Sequence, residues 1–74
     1  MDNEAFDRAV ADAARDAIMS TIGSVNGAAK EAGIPYATLD RKLRGVSSFT
    51  VSELRRLAAV TGKRTSDFIP KRVA

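Results

Sequence analysis

Apolar residues recur along positions 3–20 at the three- and four-residue spacing of a helix. They are Phe6, Val10, Ala13, Ala14, Ala17 and Ile18, while Asp7, Arg8, Asp12, Arg15 and Asp16 occupy the remaining surface. This pattern predicts one amphipathic helix. Asp2 or Asn3 can cap its start, Glu4 stands where the helix dipole favours an anion, and Ser20 to Gly23 close it. Ser24 has N-cap chemistry for a short second helix over 25–32, with Val25, Ala28 and Ala29 inward and Asn26, Lys30 and Glu31 outward. Gly33 ends that helix, because glycine takes positive φ without steric cost. Pro35 has a fixed φ and no amide hydrogen, so it suits the first turn of a third helix over 35–44 that stops at Gly45.

Thr50 and Glu53 have the spacing of a capping box, in which each side chain satisfies the other residue's backbone amide. A fourth helix begins there, with Val51, Leu54, Leu57, Ala58 and Val60 as its apolar stripe and Thr61-Gly62 as its end. Phe49, just before the cap, is placed to staple onto Leu54. Thr65, Ser66 and Asp67 can cap a last short turn that buries Phe68 and Ile69 before Pro70 halts it. The expectation is all-α: five helices joined by short loops, with no repeat and no low-complexity segment.

Composition narrows this picture. Seventy-four residues make one domain, 1–74, and leave it a single small core. Cysteine and histidine are absent, so neither a disulfide nor a histidine-bearing metal site staples the fold. The same absence removes the commonest general base, the commonest metal ligands and the most reactive nucleophile. No Walker or dinucleotide glycine pattern is present. Asp12 and Asp16 share a face with Arg8 and Arg15, which is a salt-bridged surface rather than an acid/base pair. An enzyme is therefore not expected, nor a cofactor or small-molecule ligand. No apolar run approaches the ~20 residues of a membrane span, and Asp2, Glu4 and Asp7 replace the basic start of a secretory signal. A cytoplasmic protein is expected.

The net charge is +3, but it is unevenly spread. Residues 1–22 carry two basic and five acidic groups, residues 23–74 ten and four. A basic face suits a polyanion such as nucleic acid, although a solvated Lys/Arg surface has the same composition. Spacing adds the stronger signal. Two short helices flank a glycine turn, and the second is opened by proline and rich in basic residues, the outline of a DNA-reading helix-turn-helix. Ala29, four residues before Gly33, is small where two helices must cross closely. Ile34 and Leu39 can fill the wedge between them.

The stretch Ser24-Val25-Asn26-Gly27-Ala28-Ala29-Lys30-Glu31-Ala32-Gly33-Ile34-Pro35-Tyr36-Ala37-Thr38-Leu39-Asp40-Arg41-Lys42-Leu43-Arg44-Gly45 resembles the lambda-repressor-like (Cro/repressor) helix-turn-helix family of phages and prophages. Phe49 to Leu54 and on to Gly62 is similar to that family's fourth helix, so the resemblance spans 24–62. It implies a compact five-helix fold and a transcriptional repressor that binds double-stranded operator DNA through the major groove. It also implies a homodimer on a two-fold operator, for which Val60, Phe68, Ile69 and Val73 form the candidate patch. Two positions depart from the family. Lys42 stands where an apolar residue is usual, so either Leu43 supplies the core contact or the Lys42 stem packs and its ammonium snorkels out. Val25 stands where a polar residue usually opens the second helix, and Asn26 can take over phosphate contact.

With Leu39 and Leu43 inward, steps of 100° place Ala37, Arg41 and Arg44 outward, with Thr38 and Asp40 flanking. Arg41 is the candidate for a bidentate bond to guanine, worth about 1–3 kcal/mol of discrimination. Ala37 can touch a thymine methyl, and Tyr36 and Thr38 can bond a base edge or a phosphate. Asn26, Lys30, Lys42, Arg44, Ser47 and Ser48 are the candidate backbone contacts. Each has a plainer role to weigh against this: Arg44 complements a helix dipole, Tyr36 packs on the surface, Asp40 pairs with Arg44, and Ser47 and Ser48 form a turn. The rival function is a protein-interaction module, such as an antitoxin or regulatory partner, and the acidic first helix gives it weight.

Overall fold

The computed structural model describes residues 3–70. It contains α1 (Asn3–Thr21), α2 (Val25–Ala32), α3 (Tyr36–Leu43), α4 (Val51–Thr61) and a final 3₁₀ turn, Thr65–Phe68. There is no strand among the described residues, and none of their helices is long and apolar enough to cross a membrane. The fifth expected helix is thus a single turn. Asp2 and Val73 lie outside the described residues, and Asn3 is already helical rather than capping.

α1 touches all four other elements, which explains why its buried arc is wider than one stripe. Val10, Ala14, Ala17 and Ile18 are buried as the periodicity requires, and Ala11 on their flank is buried as well. The shared core adds Ala28, Ala29 and Ala32 from α2, Ile34, Leu39 and Leu43 around α3, Leu54, Leu57 and Ala58 from α4, and Phe68. Small side chains on α2 let neighbouring helices approach closely, so the larger Leu39 and Leu57 can fill the centre.

The turn between α2 and α3 follows from its chemistry. The Ser24 hydroxyl accepts the Gly27 amide at 3.0 Å to start α2. At the other end Gly33 takes φ +69°, its N–H donates to Lys30 O, and the Ile34 N–H reaches back to Ala29 O at 3.0 Å. This pair of bonds closes the helix in a Schellman motif. Nothing lies within 4 Å of where a Cβ on Gly33 would point, so the glycine is needed for its backbone angle rather than for space. Pro35 is extended, with ψ 137°, and acts as the N-cap rather than the first helical residue. Arg44 is the C-cap, so α3 is one residue shorter at each end than expected.

The capping box of α4 forms: Glu53 N–H donates to Thr50 Oγ1 at 3.1 Å, and Thr50 N–H to Glu53 Oε1 at 2.8 Å. Phe49 packs against the core and lines a small cavity with Leu54, Phe6 and Val10, as a staple should. Val51 does not join the stripe. It is 69% exposed in the first turn, where no neighbour covers it. In the 3₁₀ turn, Asp67 Oδ2 accepts the Arg64 amide at 2.8 Å. Phe68 is buried but Ile69 is 36% exposed, because its extended backbone turns the next side chain away from the core. The candidate dimer patch therefore loses Phe68, which has no surface to offer.

Candidate nucleic-acid interface

α3 is held from behind by Leu39 and Leu43, both buried. Its other face carries Tyr36, Ala37 and Arg41, all exposed, with Thr38 half-buried beside them. Arg41 is exposed, and its guanidinium has no hydrogen bond or ion pair among the described residues. Arg44 Nε lies 3.3 Å from Asp40 Oδ2, one helical turn apart and largely exposed. Such a surface pair is worth only about 0.3–0.5 kcal/mol and is readily exchanged for another anion. On α2, Asn26 and Lys30 are exposed and their side chains have no partner among the described residues.

Of the expected backbone contacts, two are engaged elsewhere and a third is buried. Lys42 Nζ lies 2.5 Å from Glu53 Oε1, and the two side chains are only 12% and 16% exposed. Leu43 supplies the core contact, and the Lys42 stem is mostly buried as well. The ammonium ends on a carboxylate, however, and not in solvent. Ser48 Oγ donates its one proton to Asp7 Oδ2 at 2.7 Å, which leaves it none for a phosphate and sets an acid beside it. Ser47 Oγ is buried and has no partner among the described residues. Its loop is braced by α1, as a Cβ on Gly45 would sit 3.8 Å from Arg8 Cα. These serines shape the loop after α3 and do not present donors from it.

No family model, no curated protein and no solved structure matches the chain.

Glu53 and Asp7 are the members that sequence reasoning missed. The capping-box spacing marked Glu53 as an acceptor for Thr50, but nothing in the spacing showed that a lysine eleven residues earlier would fold onto the same oxygen. Burial pushes the Glu53 carboxyl up, but the hydrogen bonds from Lys42 and the Thr50 amide, with the attraction of the ammonium, outweigh it and hold the group below its ordinary 4.5. A carboxylate with a lowered folded pKa contributes stability above the unfolded value and loses it as pH falls through the folded one. Between neutral pH and pH below 4.5, the wild-type unfolding midpoint should therefore drop further than that of Glu53→Gln. Equal drops in a denaturant titration would show that the pair does not stabilise the fold. On the far side of the turn, Arg56 Nη1 lies 3.5 Å from the Gly33 carbonyl oxygen.

Proposed function

We propose that this chain is a lambda-repressor-like DNA-binding domain that reads operator DNA by laying α3 in the major groove and represses transcription by occupying the site. The observation that carries this is Arg41: a guanidinium with no partner among the described residues, on the outer face of a helix whose inner face is locked into the core. An α-helix with its side chains is about 10–12 Å across, which fits the roughly 12 Å width of a B-form major groove. Arg41 is the base-reading residue, with Ala37 against a thymine methyl and Tyr36 and Thr38 at the end that enters the groove first. Lys30, Arg44 and Asn26 bind phosphate. Lys42, Ser47 and Ser48 are left out of the interface. Binding as a homodimer to a two-fold operator, in the cytoplasm of a bacterial host, follows from the family resemblance.

Arg41→Ala tests this. The variant should fold as well as wild type and lose about 1–3 kcal/mol of preference at one base pair, read by competition between the preferred site and its single substitutions. Unchanged base preference would remove Arg41 from direct readout.

One observation favours the interaction-module reading. A groove between α1 and the 3₁₀ turn is lined by Ala13, Ala17, Met19 and Phe68, with the polar and charged Asp16, Ser20, Lys63 and Asp67 around them, and none of its lining belongs to α2 or α3. A protein partner seated there would leave Arg41→Ala without effect on binding. It would also make the complex insensitive to changes on α3.

A further inference from the structure

Lys42 is the one cation of α3 that the fold turns away from solvent. It follows Arg41 in the chain and lies 100° from it around the helix, near enough to the reading face to reach a phosphate if it were released. Its ammonium is held by Glu53, and Glu53 is itself fixed: Oε1 also accepts the Thr50 amide at 2.8 Å while its own N–H donates to Thr50 Oγ1. The carboxylate therefore cannot follow the lysine outward without opening the start of α4. This bond links α3 to the start of α4 through side chains. It also withholds one positive charge from sequence-independent attraction to the duplex.

We propose that Glu53 is a specificity-determining positioning residue, which keeps the non-specific DNA affinity of α3 low by holding Lys42 away from the phosphates. The proposal rests on the DNA-reading role given to α3 above. Without Glu53's charge, the ammonium would swing out on its flexible stem and add a phosphate contact that every sequence offers alike. Discrimination would fall even though no base contact had changed.

The experiment measures wild type, Glu53→Gln, Lys42→Met and the double variant, each shown to be folded by its thermal melt. Affinities for a selected site and for an unrelated duplex are read over a salt series. Glutamine can still complete the capping box, and methionine can replace the lysine stem, so both changes act mainly on charge. Glu53→Gln should steepen the dependence of log affinity on log salt by about 0.9, the effect of one added phosphate contact. A fourfold dilution of salt should then raise its non-specific affinity about 3.5-fold more than wild type's, with a lower ratio of specific to non-specific binding. Lys42→Met should leave the wild-type slope unchanged, and so should the double variant.

A slope made shallower by about 0.9 in Lys42→Met would show that Lys42 already touches phosphate, and would overturn the proposal. So would an unchanged slope and ratio in Glu53→Gln. A double variant as steep as Glu53→Gln would assign the gain to loss of the carboxylate alone, and would overturn it equally. In those three outcomes wild type still binds DNA and α3 keeps its reading role. A wild-type chain with no salt-dependent affinity for duplex DNA overturns the reading role itself, and the proposal with it.

Discussion

Leu39→Ala is expected to destabilise the domain by about 2–5 kcal/mol and, on the proposed DNA-binding role, to lose binding at temperatures where wild type keeps it. Leu39 is fully buried and belongs to the one core that α1, α2 and α4 share. It fills the wedge behind α3, so its loss leaves a cavity at the place that holds this helix. A domain of this size holds roughly 4–11 kcal/mol in all, so the variant retains little margin. Chemical denaturation gives the magnitude. A loss under about 1 kcal/mol would mean that the site collapses around the alanine and that α3 is not wedged by Leu39.

Phe68→Ala should cost about 3–5 kcal/mol, as much as or more than Leu39→Ala, although it sits outside every α-helix. Phe68 is 2% exposed and is the largest side chain of the core that comes from the chain end. The 3₁₀ turn that carries it packs on both α1 and α4, so one aromatic ring ties the first helix to the last. The predicted signature differs from that of Leu39→Ala. On the proposed DNA-reading role, its base preference at a temperature where the variant remains folded should match wild type, because the 3₁₀ turn packs on α1 and α4 and not on α3. Loss of base preference in a folded Phe68→Ala protein would show that the 3₁₀ turn supports α3 directly.

The helices were legible because each has a local cause. Ser24, Gly33, Thr50 with Glu53, and Gly62 act within one or two turns of their own position, and the bounds of α2 and α4 follow from them. The inward edge of α3 was legible too, since Leu39 and Leu43 are four residues apart. What periodicity could not supply was the partner across space. Lys42 was recognisable as out of place, but its pairing with Glu53 depends on how the loop 44–50 returns the chain to α4. Asp7 and Ser48, 41 residues apart, met for a similar reason. Val51 and Ile69 were misplaced for a different one: both have apolar side chains in the right neighbourhood, yet each lies where the packed elements end.

These corrections sharpen the interface. Six candidates for backbone contact become three, Asn26, Lys30 and Arg44, while Tyr36, Ala37, Thr38 and Arg41 keep a solvent-facing or half-exposed position on α3. If α3 binds a duplex as proposed, fewer cations on it mean a shallower salt dependence than the charge count of the chain alone would imply.

Sequence reading by α3 is tested most directly by selecting bound sites from random duplex DNA at low salt, with wild type and Arg41→Ala side by side. Wild type should enrich a two-fold consensus whose half-sites lie about ten base pairs apart, with guanine at a position where Arg41→Ala loses its preference. Recovery of no enriched sequence by the wild-type protein would contradict DNA readout through this helix.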